Sequence, residues 1–217
     1  MEIRKIATLK TAAQFLEHLA RLGVQLPFDP ELEAAPASPL AQAAQVDGFT
    51  IPNRWTVLPM EGWDGTPDGR PSELTRRRWQ RFGLSGAGLV WGGEAVAVRH
   101  DGRANPNQLV INRDTLGDLA GLREILLAAY RQSAGADTPP VIGLQLTHSG
   151  RFSRPNGKAL EPLVAYDHPL LNPRFNLPVP SGRVISDEQV EALVEDFVGA
   201  ATLAQEAGYD FVDIKHC

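Results

Sequence analysis

The chain of 217 residues has a single cysteine, Cys217. No disulfide can therefore form within it, and the cysteine clusters of zinc fingers are excluded. It also has no excess of basic charge: 21 Lys and Arg against 26 Asp and Glu leave a net charge of −5. The basic residues are scattered except for Arg76-Arg77-Arg78. Nucleic-acid binding, which needs a basic footprint, is not expected, and the triple arginine reads as a solvated helix face rather than a phosphate patch. No apolar run reaches the roughly 18 to 20 residues of a membrane span, and Glu2, Arg4 and Lys5 leave the N-terminus without a signal-peptide core. These absences predict a cytoplasmic protein with no membrane or nucleic-acid partner. A hydrophobic content of 43% is ordinary for a domain with a real core.

The first segment is a short amphipathic helix over Thr11–Gly23: Thr11 precedes Gln14, then Phe15, Leu16, Leu19 and Leu22 recur at helical spacing. Residues 24–46 are rich in Pro and Ala without periodicity and read as an irregular arm, so residues 1–46 form one region and 47–217 the main domain. From Gly48 onward short apolar runs alternate with helical patterns. Strands are predicted at Trp55–Leu58, Gly88–Trp91, Val141–Leu146 and Phe211–Ile214, and helices at Ser72–Leu84, Asp114–Gln132 and from Ser186 to Gly208. On the last helix Val190, Leu193, Val194, Phe197, Ala201 and Ala204 line one face behind a Ser186/Gln189 capping box. Strand, long loop, helix and short link, repeated, is the grammar of a parallel α/β fold. A doubly wound sheet and an eight-stranded barrel both fit, although a complete barrel typically takes roughly 250 residues.

In either fold, sites gather at the C-terminal ends of the strands. Those ends carry Pro59-Met60-Glu61-Gly62-Trp63, Gly92-Gly93-Glu94-Ala95, Gln145 through Arg151, and Lys215-His216-Cys217. The glycines of Gly83, Gly86 and Gly88 end a helix and precede a strand. That is the reverse of a pyrophosphate-binding loop, so they are helix-ending and packing glycines. Lys215 follows Asp213 by two residues, so both side chains emerge on one strand face, where a buried pair is plausible. A strand-end lysine can form a Schiff base if desolvated, donate hydrogen bonds to an anionic cofactor, or simply face water. His148 can serve as ligand, acid/base or loop hydrogen-bonder, the last being commonest. His148, His216 and Cys217 match no zinc spacing, so no metal is expected.

Several segments occur together, in order, in one known family. Asn53-Arg54 with Pro59-Met60, the run GAGLVWGGEAVAV with Asp101-Gly102-Arg103, the motif GLQLTHSGR from Gly143 to Arg151, and AGYDFVDIKHC resemble NADH:flavin oxidoreductases of the Old Yellow Enzyme and 2,4-dienoyl-CoA reductase type. The resemblance runs from about Phe49 to Cys217. It implies the N-terminal half of a (β/α)8 TIM barrel, about four βα units, with FMN at the strand C-termini. It also implies that hydride passes from NAD(P)H through the flavin to an activated alkene or similar small-molecule acceptor.

Carried over by position, Pro59, Met60 and Glu61 border the isoalloxazine ring, Ala95 lies against it, and the Gln145 amide meets its pyrimidine edge. Trp63 stands where relatives often place an aromatic near the substrate. Many relatives have Thr or Cys at the position of Glu61. Relatives also carry a His or Asn pair, spaced three apart and followed by Gly-Tyr, which holds the substrate carbonyl. The first of that pair aligns with Lys215, a cation able to polarise a carbonyl, and the second falls beyond Cys217. The phosphate site that barrels commonly build after strands seven and eight falls there too, so the resemblance predicts weak FMN binding and little turnover for this chain alone. A half barrel exposes two sheet edges, which leaves open a homo-oligomer, a separate C-terminal half, or a non-catalytic half barrel that pairs with itself or a partner half. A Schiff-base lyase using Lys215 is a further alternative.

Overall fold

A computed structural model of the protein describes residues 5–134 and 138–215. The chain forms two compact units, Met1–Gln42 and Ala43–Cys217. In the first, helix α1 (Ala12–Leu22) begins where the Thr11 side chain accepts a hydrogen bond from the Gln14 backbone and ends at Gly23, whose φ of +66° is left-handed. Both are the termini that the capping residues dictate. Phe15 on this helix packs against Phe28 of the following arm, with ring centroids 5.0 Å apart.

The second unit opens with an antiparallel hairpin, β1 (Ala44–Val46) and β2 (Phe49–Ile51). Its main part then runs β3 (Thr56–Val57), α2 (Glu73–Leu84), β4 (Leu89–Val90), β5 (Ala95–Ala97), α3 (Leu116–Ala134), β6 (Val141–Thr147), α4 (Leu171–Arg174), α5 (Asp187–Glu206) and β7 (Phe211–Lys215). All its pairings are parallel: β3 with β4, β4 and β5 with successive halves of β6, and β6 with β7. β5, which the sequence pattern leaves inside a loop, resumes the line of β4 after a break at Trp91–Glu94. Its apolar run is only Ala-Val-Ala, too short to give a periodic signal.

This topology chooses between the two folds that the pattern left open. The strands lie side by side in the order in which they occur in the chain, without the reversal that defines a doubly wound sheet. The helices, moreover, pack on one face. Trp79 of α2, Leu119, Leu122 and Leu126 of α3 and Ala200 and Ala204 of α5 form one cluster with Val90, Val96, Ile142, Leu144 and Leu146 of the sheet. Strands in sequential order with helices outside are the first half of a (β/α)8 barrel.

Gly83 sits inside α2 where a β-carbon would collide with the Leu126 carbonyl of α3, which confirms its packing role. Tyr209 ties the α5–β7 turn to α3 by donating its hydroxyl to the Leu119 carbonyl at 2.9 Å, and burial pushes its phenol well above the usual range.

One expectation for α5 is corrected. Leu193, Phe197, Ala201 and Ala204 do pack on the core, but Val190 and Val194 are exposed, together with Val198 and with Ile214 of β7. The apolar arc of α5 is wider than the sheet beneath it. Among the described strands β7 pairs only with β6, so nothing described covers that side. No helix among the described residues is long and apolar enough to cross a membrane.

Candidate active site

Because every main-sheet strand is parallel, their C-terminal ends converge on one rim. Alternation along each strand then fixes what faces away from the helices. With Ile142, Leu144 and Leu146 in the helix-facing core, the opposite face carries Gly143, Gln145 and Thr147 of β6. The β6–β7 register sets Phe211, Asp213 and Lys215 beside them. Gly143 has no alternative there: a β-carbon would lie 2.4 Å from the Phe211 ring. That ring crosses the strand and meets Trp91 edge-on at 5.2 Å.

Two polar pairs occupy this face. Gln145 donates its side-chain N–H to the Asp213 carboxylate at 2.6 Å. One residue pair further toward the rim, the Lys215 ammonium forms an ion pair with the Glu61 carboxylate. Asp213 and Lys215 share a face as predicted, but each is engaged by a different partner on another strand or loop. In a flat sheet, strands about 4.8 Å apart would hold the first and fourth well over one side-chain length from each other. Contact between Glu61 after β3 and Lys215 of β7 shows the sheet curling toward this face.

The loop that carries Glu61 is held from below. Glu94 has no exposed surface; one of its oxygens accepts the Gly62 N–H at 2.8 Å and the other lies 2.7 Å from the Arg78 guanidinium of α2. Arg78 also grips Asp64 at 2.7 Å. Burial pushes the Glu94 carboxyl above the usual range, against the pull of Arg78. Partial burial acts on Asp64 in the same direction, yet Arg78 and the Thr75 hydroxyl hold its carboxyl below its usual value. Gly62 is required here because a β-carbon would sit 2.3 Å from the Glu94 oxygen.

The reading of the triple arginine as a solvated face is thus corrected. Arg78 is mostly buried and Arg76 is paired with Asp118 at 3.2 Å. A positional reading of charge cannot see a carboxylate that arrives from another strand.

The remaining expected residues fall at the same rim. Met60 and Trp63 are exposed, and the Met60 carbonyl accepts the Ala95 N–H at 3.0 Å, which prolongs β3 alongside β5. Ala95 itself has no exposed surface; the buried Gln108 side chain donates to its carbonyl at 2.8 Å. His148 is buried and accepts the Gly150 N–H at 3.1 Å through Nδ1, with Nε2 3.6 Å from Asp101. Burial pushes its imidazole below the usual value, against the attraction of Asp101. It is a loop hydrogen-bonder, and the companions considered for it, His216 and Cys217, lie outside the described residues. Asn53 clamps the start of β4 by accepting the Gly88 N–H at 2.9 Å and donating to the Gly86 carbonyl at 2.8 Å.

Residues 40–217 match the NADH:flavin oxidoreductase / NADH oxidase family. The chain belongs to that family. Among curated relatives of this flavin oxidoreductase chain, an NADPH dehydrogenase of Geobacillus sp. (strain WCH70) is 29% identical over 170 residues, which is 78% of this chain and 45% of the relative. A probable N-methylproline demethylase of Rhizobium meliloti (strain 1021) is 28% identical over 181 residues, covering 83% of this chain and 25% of that one. Among solved structures, morphinone reductase superposes with a TM-score of 0.58 at 25% identity over 81% of this chain and 47% of its own. A 2-naphthoyl-CoA reductase complex, at 16% identity, superposes with a TM-score of 0.62 over 81% of this chain and 27% of that one. The chain therefore spans less than half the length of these relatives.

Proposed function

We propose that the rim of this half barrel binds FMN and that the protein serves an NAD(P)H-dependent reduction of an activated alkene or similar acceptor. When bound, the flavin supplies hydride transfer from NAD(P)H to the acceptor. The observation that carries this reading is the meeting, on one open face, of an oriented amide, an ion pair and apolar side chains. A glutamine amide offers two N–H groups and a carbonyl oxygen. Fixing one N–H on Asp213 orients the rest toward the alternating donors and acceptors of a pyrimidine edge. Pro59, Met60 and Glu61 supply the wall along the ring, and Trp63 stands beside the acceptor. Ala95, which is closed off, enters through its backbone link to Met60.

Lys215 polarises the acceptor's carbonyl oxygen: an ammonium donates to that oxygen as negative charge develops on it. The loop after β3 needs no reorganisation to form the wall, since Glu94 and Arg78 already hold it.

The test is equilibrium dialysis of the purified 217-residue chain against FMN, with Gln145→Ala in parallel. The expected result is weak FMN binding, weaker still in the variant, with slow or no NADH oxidation by the chain alone. Equal flavin retention by both proteins would remove Gln145 from the site, and a chain that stays yellow after desalting and oxidises NADH rapidly would overturn the weak-activity part. The reading places the protein in the cytoplasm.

A second reading has its own observation. The exposed stripe of Val190, Val194 and Val198, with Ile214 on the edge strand β7, is the surface a neighbouring βα unit covers in a closed barrel, and edge strands left open invite pairing. Pairing of this half barrel with a second copy or a partner half fits that surface. Sedimentation of the chain, alone and with Val194→Glu, tests it: a concentration-dependent dimer abolished by the substitution supports pairing, and a monomer throughout refutes self-pairing.

A further inference from the structure

Gly62 stands between Glu61 and Trp63 in the loop after β3, and buried side chains hold it from both sides. Its N–H donates to Glu94 at 2.8 Å, and its carbonyl accepts from the Asn105 amide at 3.1 Å. Neither partner has any exposed surface. We infer that Asn105 is a positioning residue for the flavin wall: acting through the Gly62 peptide, it fixes the directions in which Glu61 and Trp63 leave the loop. This rests on the reading of that loop as the wall along the ring.

Buried carbonyls need donors wherever no neighbouring strand supplies them, and here the segment that follows β5 supplies them. Arg103, buried like Asn105, donates to the Pro67 carbonyl at 2.7 Å and to the Thr66 carbonyl at 3.2 Å. The half-buried Asn107 reaches the Trp63 carbonyl at 3.4 Å, and Gln108 ties the same segment to Ala95. Asn105 is itself set in place. Its Oδ1 accepts the Asn107 N–H at 2.9 Å, a turn that asparagine side chains favour, and this leaves Nδ2 as the group that meets Gly62. The clamp falls where the loop most needs one. A residue without a β-carbon is the loosest in a chain, yet no β-carbon fits at position 62 beside Glu94. The two hydrogen bonds fix the peptide planes on either side of Gly62. With the Asn105 bond removed, the plane between Gly62 and Trp63 is free to turn, and a ligand must order the loop as it binds, which weakens binding.

The test combines hydrogen exchange with equilibrium dialysis against FMN, both on the full chain. Asn105→Ser keeps an oxygen for the turn but is too short to reach Gly62. Asn107→Ala removes the half-buried contact to Trp63 and keeps the inference falsifiable if the buried variant folds poorly, which circular dichroism reveals. In Asn105→Ser, amide exchange over residues 60–67 is expected to quicken about tenfold while residues 141–147 of β6 exchange as in the wild type, and FMN affinity should fall about fivefold to a hundredfold. Asn107→Ala should show the same local pattern, with FMN affinity falling no more than about fivefold. Unchanged exchange over 60–67, equal quickening of both segments, or a loosened loop with unchanged FMN affinity overturns the inference and leaves Asn105 a structural residue. Saturating FMN should also slow exchange over 60–67 in the wild type. Absence of that protection overturns the reading of this loop as the flavin wall, and the inference with it, whatever the variants do.

Discussion

Two glutamates, Glu61 and Glu94, meet cations on opposite sides of the same loop, and their surroundings give them opposite roles. Glu94 has no exposed surface and its oxygens are taken by the Gly62 backbone and by Arg78. Glu61 pairs with Lys215 at an open rim, with 28% of its side chain in contact with solvent. A buried charge that loses its partner costs far more than a rim charge that does so. The first pair is consequently scaffold, which fixes the loop. The second is adjustable, and that suits a surface that must receive ligands. Residue type announces neither role; solvent access assigns it.

The largest effect is expected at Arg78. Arg78→Met leaves Glu94 buried without its cation and is expected to destabilise the protein by about 3–5 kcal/mol, read as a lowered denaturant midpoint; a loss under about 1 kcal/mol would put this pair in the same class as the rim pair. Gly62→Ala forces a β-carbon into the Glu94 oxygen. It should cost about 1–3 kcal/mol, visible as a lower melting temperature together with weaker FMN binding.

A pH series sharpens the contrast. Because burial raises the Glu94 carboxyl, the folded protein favours its protonated form. That contribution is fully present below the unfolded-chain value of about 4.3 and is lost as the pH rises through the raised value in the fold. Denaturant midpoints of wild type and Glu94→Gln between pH 4 and 8 should therefore converge or cross, with the wild type losing ground as the pH rises; parallel profiles would show that Glu94 is not shifted. The smallest effect belongs to the rim: Lys215→Met should change stability by no more than about 1 kcal/mol in the same denaturation assay, and a larger loss would make the rim pair part of the scaffold.

Local signals were readable wherever they were complete within a few residues. Thr11, Ser72, Ser186, Gly23 and Gly208 set helix ends that the structure reproduces to within a residue or two. The long apolar run of β6 was visible in the same way. β5 was not, since a run of three small residues becomes a strand only because β6 offers it a partner. Arg78 looked like its neighbours Arg76 and Arg77, and only the return of the chain at Glu94 separates them. Of the candidate site, Gln145, Lys215, Met60 and Glu61 stood at strand ends in the sequence, while the pairing of Gln145 with Asp213 and of Glu61 with Lys215 could not be read there. Each pair joins residues far apart in the chain, at separations of 68 and 154.

Consecutive residues alone dictate the alternation of strand and helix, the helix termini and, through four ordered motifs, membership of the flavin oxidoreductase family. These rest on periodicity, capping and short-range chemistry, all written in consecutive residues. The folded arrangement alone puts the sheet in sequential order with its helices on one face, buries Glu94 and not Glu61, and brings Glu61 to Lys215. Burial and ion pairing depend on what arrives from distant parts of the chain, and only the folded arrangement brings those parts together.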